Sequence, residues 1–199
     1  MINGGQARIL NPRQIELILN HLDQSRQPER NKVIFLLSVK AGLRAKEIAS
    51  LKWSMLVNDE NLIGSELHLP HSASKGKSGR NIPLNKQLKK QLEGFYNIVR
   101  TKRNFHPSDS YVITTDRSLQ TSPQVIVNMF RRWYTDLGMI GCSSHSGRRT
   151  FITNTARRIT TVGGSLRDIQ ALAGHNSLQT TQRYIEAHSD ARKRVVDLI

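Results

Sequence analysis

Four short stretches of this chain carry side chains suited to holding an anion or attacking one. In "SSHSGRRTF", Ser143 to Phe151, a serine able to cap a helix precedes His145 and Arg148. Spacing i, i+3 sets that imidazole and that guanidinium on one helical face, beside a helix N-terminus that already favours negative charge. The result is a phosphate-sized site, although a solvated pair on a helix surface has the same spacing. "AGLRAKEIASL" adds Arg44 directly after a helix stop, with Glu47 placed to bond back to the start of the next helix. An ordinary cap with an exposed arginine reads the same way. In "SASKGKSGR", Lys75 sits at the tip of a Lys, Gly and Ser turn, where the plain alternative is a solvated ammonium. "GHNSLQTTQRYIEAH" sets Tyr184 nine residues after His175. Its ring either packs on the core, as most tyrosines do, or lends its oxygen as a nucleophile.

Several other chemistries are missing. "GKS" at Gly76 to Ser78 resembles part of a phosphate loop, but the opening glycine of that motif would fall on His71, so no nucleotide cradle and no energy cofactor are expected. The acidic residues show no grouping suited to two divalent metals, and the seven histidines include no H-E-x-x-H pair, so no metal is expected. Cys142 is the only cysteine. It excludes an internal disulfide, fits a reducing cytosol, and reads as a small buried side chain.

Thirty Lys and Arg against fifteen Asp and Glu give a net charge of +15, which concentrates polyanions around the chain. Nucleic acid is the expected partner. An anionic membrane surface ranks below it, because no basic amphipathic helix carries a broad aromatic face. No apolar run approaches the roughly 20 residues of a membrane span, and "MINGGQARILNPRQ" lacks a secretory signal pattern. A cytoplasmic, nucleoid-associated location is the expectation.

The elements that must position these residues are mostly helices. Asn11 and Pro12 open a helix with Ile15, Ile18, Leu19 and Leu22 on one face. "DQSRQPERN" reads as a flexible connection, and "KVIFLLSVKAG" as a buried helix stopped by Gly42. Helical spacing resumes through Ile48 and Leu51. "LIGSELHLP" and "RNIPL" read as short strands of a hairpin with "SASKGKSGR" at its tip. Leu88, Leu92, Phe95 and Val99 mark a further helix, and Ser122 and Pro123 start another with Ile126, Met129, Phe130 and Trp133 on its stripe, ending at Gly138. A Ser165 to Asp168 capping box starts a helix ended by Gly174, with Ser177 capping the next. The expectation is an α+β, mainly α-helical fold with a small antiparallel sheet, built as one domain over residues 1–199.

Taken in order, Arg44, Lys75, His145 with Arg148, His175 and Tyr184 resemble the tyrosine recombinase, or phage integrase, family. The resemblance rests on "GLRAKEIASL", "SKGKSGRNIPL", "HSGRRTF" and "LAGHNSLQTTQRY", and spans about Asn11 to Tyr184. It implies the family's DNA breaking-rejoining catalytic-domain fold and site-specific recombination through a covalent 3'-phosphotyrosine, with no cofactor. By this resemblance Tyr184 is the nucleophile, Arg44, Arg148 and His175 stabilise the phosphorus oxygens, His145 assists proton removal, and Lys75 is the general acid. Glu47 braces the first arginine, while Lys77, Arg80, Arg149 and Arg183 contact phosphates. The partners implied are double-stranded DNA, further copies of the chain as a tetramer, and accessory DNA-bending proteins. The N-terminal DNA-gripping domain of most members is not expected in residues 1–199. Gly147 stands where the family often has leucine, which would loosen packing beneath the site. Two rivals remain: a topoisomerase-like nicking-closing enzyme, and a noncatalytic DNA-binding regulator derived from a recombinase.

Overall fold

The computed structural model describes residues 6–71, 79–116 and 118–184. Its first helix, α1 (Pro12–Asp23), starts as the sequence predicts: Asn11 accepts from the Gln14 amide and the Gln14 side chain bonds back to Asn11. The next, α2 (Pro28–Ala41), begins earlier than its apolar run. Pro28 suits a first helical turn and Glu29 complements the positive end of the helix dipole, so much of the stretch expected to be flexible is helical. Because α2 is buried from Val33 through Val39 with little amphipathic bias, it forms the central rod, with α6 and α4 packed around it.

Gly42, with φ of +66°, ends α2 in a left-handed turn and leads into the short α3 (Ala45–Ala49). Strands β1 (Glu66–Leu69) and β2 (Arg80–Pro83) pair antiparallel, Leu67 opposite Ile82 and Leu69 opposite Arg80. Helix α4 (Lys86–Val99) buries Leu88, Leu92, Phe95 and Val99, and α5 (Pro123–Asp136) buries Ile126, Phe130 and Trp133. "YVITT" lies beside the chain after α3, with Tyr111 bridging Lys52 and the Val112 amide donating to the Leu51 carbonyl.

Helices α6 (Ser146–Arg158), α7 (Leu166–Ala173) and α8 (Leu178–Gln182) complete the described chain. The main core joins α1 to α5 with the hairpin, and a second cluster of Ile152, Ile169 and Ala173 lies between α6 and α7. Arginine hydrogen bonds join the C-terminal ends of α2 and α7 to α3 and β2 along one seam. Among the described residues no helix is long and apolar enough to cross a membrane.

Candidate active site

The C-terminus of α7 is the hub of the site. Ser165 and Asp168 cap its start reciprocally, at 2.7 Å from the Ser165 amide to the carboxylate, and Gly174 ends it at φ of +59°. A helix end leaves carbonyls unpaired and carries the negative end of the dipole. Three successive carbonyls here each meet an arginine: Leu172 O accepts from Arg80 Nε at 2.9 Å, Ala173 O from Arg148 Nη2 at 2.6 Å, and Gly174 O from Arg44 Nη2 at 3.4 Å.

One carboxylate binds two of these arginines. The Glu47 side chain is 1% exposed and accepts from the Arg44 amide at 2.8 Å, from Arg44 Nη1 at 2.9 Å, and from Arg80 Nη1 and Nη2 at 2.9 and 3.1 Å. Burial pushes the Glu47 carboxyl up, but hydrogen bonds and charge from Arg80, then Arg44, outweigh it and hold the carboxyl below its ordinary range. Glu47 thus bonds both the backbone amide and the side chain of Arg44. The expectation that Arg80 meets phosphate is corrected: its side chain is 5% exposed and its fork is committed to Glu47 and Leu172. Gly174 makes room for it, since a Cβ there would lie 2.7 Å from Arg80 Nη1.

Arg148 enters from α6 and is 4% exposed. Its Nη1 donates to Gly42 O and its Nη2 to Ala173 O, both at 2.6 Å, so it ties the ends of α2 and α7 together. Burial, then the neighbouring Arg44 charge, lowers its pKa to about 9, which leaves it cationic at neutral pH. His145 does not share its surroundings. It is exposed at the N-cap position of α6, with the Ser143 hydroxyl accepting from its amide, and Ser146 opens the helix. The packing beneath Arg148 is tight rather than loose, because a Cβ on Gly147 would lie 2.4 Å from Ser38 Oγ of α2. Glycine is what lets α2 and α6 approach this closely.

His175 follows the α7 end, with its amide donating to Gln170 O and its carbonyl accepting from Gln170 Nε2. Its Nδ1 lies 3.0 Å from Thr181 Oγ1, and the Tyr184 ring stacks on it with centroids 5.5 Å apart at 21°. Burial, then the charges of Arg148, Arg44 and Arg80, lowers His175 to about 4, so the imidazole is neutral at pH 7. Tyr184 is half-buried against the α6–α7 cluster. Its ring thus packs, on His175 and beside the arginine cluster. Arg183 beside it is exposed. Arg149 is half-buried, with Nη1 donating to Ala7 O at 2.7 Å. Lys75 and Lys77 lie outside the described residues.

Three guanidiniums against one carboxylate leave this seam with a net positive charge. Among the described residues no three His, Cys, Asp or Glu side chains are grouped to hold a metal. A sequence profile of the phage integrase family matches residues 8–191. The chain belongs to the phage integrase family. Two of its relatives are a tyrosine recombinase XerC from Roseiflexus castenholzii, 28% identical over 92% of this chain and 56% of that one, and a tyrosine recombinase XerA from Pyrococcus horikoshii, 28% identical over 84% and 54%. The chain thus spans about half the length of these curated relatives. The fold agrees with the crystal structure of XerA recombinase (TM-score 0.73, 22% identity, 98% of this chain and 65% of that one). It also agrees with a λ integrase dimer bound to a core site (TM-score 0.66, 19% identity, 94% and 62%).

In this phage integrase family chain, Arg80 is expected from the sequence only as a phosphate contact, and Thr181 is not singled out by it at all. Arg80 carries the buried ion pair, a role that the alternation of β2 alone hints at. Thr181, fully buried against His175, has no signal in periodicity or spacing.

Proposed function

We propose that this chain cuts and rejoins double-stranded DNA at specific sites through a covalent 3'-phosphotyrosine on Tyr184. The observation that carries this reading is the stacking of Tyr184 on His175, in a pocket where Arg44 and the buried Arg148 converge on one helix end. The Tyr184 oxygen forms a bond to phosphorus while the bond to the 5'-oxygen breaks. The phenol gives up its proton, with His145 as the assisting base, and the departing oxygen receives one from Lys75. Arg44 and Arg148 hold the nonbridging oxygens, whose added negative charge peaks in the transition state, and neutral His175 donates a further hydrogen bond. The phosphotyrosine conserves the energy of the broken bond, so neither ATP nor a metal is required. Arg183, Arg149 and Lys77 add affinity through backbone phosphates without reading sequence.

The reading extends to assembly as a tetramer on DNA, with DNA-bending proteins as accessory partners. An open groove of about 750 Å³, whose lining includes Ile15, Leu19, Val39, Phe151, Ile159 and Val162, suits an apolar segment. We assign to it the stretch containing Val195, Val196, Leu198 and Ile199 of a second copy. Removing residues 188–199 is expected to abolish the DNA-bound tetramer in analytical ultracentrifugation.

The test uses a pool of nicked suicide duplexes with randomised cores, in buffer with chelator and without ATP. Denaturation-resistant adducts are recovered and sequenced. The wild type is expected to yield adducts and, on the selected site, exchanged strands, and Tyr184→Phe neither. An adduct that persists in Tyr184→Phe refutes the assignment. Adducts without exchange favour nicking and closing, and retained DNA without adducts favours a binding-only regulator.

A further inference from the structure

Two arrangements are compatible with the 3.0 Å contact between His175 Nδ1 and Thr181 Oγ1. In one the hydroxyl donates to an unprotonated Nδ1, and the ring proton sits on Nε2. In the other Nδ1 carries the proton and donates to the hydroxyl, which must then place its own proton elsewhere. Thr181 is 0% exposed, so water does not take that proton. Among the described residues His175 Nδ1 is the only hydrogen-bond partner of this hydroxyl. A buried hydroxyl proton without an acceptor is disfavoured, so the first arrangement wins.

We infer that Thr181 is a positioning residue that fixes His175 in its Nε2–H tautomer, making a neutral histidine a hydrogen-bond donor to the reacting phosphate. The inference rests on the DNA-cleaving role proposed above. Its physical basis is specific: an imidazole with a bare Nε2 would present a lone pair to an anion and repel it. The rest of the ring is held too, by the Gln170 contacts to the His175 backbone and by Tyr184 on its face. Rotation of the ring about χ2 would break the Thr181 contact. The charged groups around it, Arg44, Arg80, Arg148 and Glu47, belong to the cluster already described, and the cations among them oppose a second ring proton.

Thr181→Val keeps the shape and removes the hydroxyl, whereas Thr181→Ser keeps the hydroxyl. Long-range ¹H–¹⁵N correlation of the His175 ring in the DNA-free chain reads the tautomer directly. The wild type and Thr181→Ser are expected to show Nε2 protonated and Nδ1 bare, and Thr181→Val a mixture. On the selected suicide duplex, adduct formation by Thr181→Val is expected to fall by about tenfold or more with DNA affinity unchanged, since a misassigned tautomer forfeits one transition-state donor. Thr181→Ser is expected to recover most of that rate. A protonated Nδ1 in the wild type, or a Thr181→Val ring with an unchanged tautomer, overturns the inference. If the wild type forms no adduct on any duplex, the cleavage reading fails, while the ring spectrum still decides the tautomer.

Discussion

Replacing Glu47 with glutamine tests whether one carboxylate holds the arginine cluster together. The carboxylate is 1% exposed and accepts from the Arg44 amide and from both guanidiniums at 2.8 to 3.1 Å. Glutamine keeps one acceptor oxygen but turns an NH₂ toward a guanidinium, so at least one Arg80 donor meets a donor. Three cations then share the seam with no counter-charge. Breaking a buried pair by removing one partner costs about 3–5 kcal/mol, because the surviving charge stays buried. For a chain of this size that corresponds to a melting temperature lower by about 6–20 °C.

Urea unfolding of wild type and variant should show the midpoint falling with an unchanged slope. The pH dependence supplies a second reading. Because the folded Glu47 carboxyl titrates below its ordinary value of 4.5, its contribution is fully present above about pH 4.5 and is lost as pH falls through the folded value. The variant should lack that acid-side loss. An Arg80→Met change in the same background should cost less than in the wild type, since it then removes a cation that has lost its partner. A Glu47→Gln penalty below about 1 kcal/mol, within the range of a surface pair, would refute the buried-pair account.

Three other expectations concern the surroundings of the arginine cluster. Gly147→Ala should destabilise by about 1–3 kcal/mol, because its methyl would lie 2.4 Å from Ser38 Oγ, and adding Ser38→Ala should recover part of it, as checked by urea unfolding. Ser38→Ala alone should be neutral or stabilising, since that hydroxyl is buried with no partner among the described residues. The His175 ring should titrate near 4 in the free chain by NMR, and higher when a duplex adds phosphate charge. Its folded pKa lies below the unfolded 6.5, so its contribution to stability, at most about 3 kcal/mol, is present above pH 6.5 and lost toward pH 4. A free-chain midpoint above 6 would contradict the burial and charge described for it.

Features written in a few adjacent residues were legible in the sequence. The Asn11 cap, the Ser122 cap, the Ser165–Asp168 box and the Gly42 and Gly174 stops are local rules, and each stands where the residue types put it. The hairpin followed from its alternation. What stayed hidden depends on elements far apart in the chain. Arg80 looked like one more basic residue near a loop, because nothing local reveals that its strand delivers it to Glu47, 33 positions earlier. His145 and Arg148 are three apart, but His145 stands exposed at the N-cap position before α6, whereas Arg148, within the helix, is drawn inward by carbonyls of α2 and α7. Gly147 suggested looseness only while its neighbour across the interface was unknown.

The carbonyl clamp holds Arg148 without a carboxylate partner of its own among the described residues. A carboxylate partner would neutralise the guanidinium with a full charge and compete with phosphate for it. Here Gly42 O and Ala173 O close on it from the ends of α2 and α7, where aligned peptides supply roughly half a negative charge each. That is enough to keep a buried cation ionised, yet it leaves no mobile anion to displace and no group that protonates in the working pH range. The single carboxylate, Glu47, is bound by Arg80 and Arg44. The division explains why Arg80 is buried: it occupies the Glu47 carboxylate, so that Arg148 stays oriented by dipoles and Arg44 is only partly committed. A lysine at position 148 offers a single point charge and cannot reproduce the rigid fork that reaches both helix ends, so the clamp requires arginine.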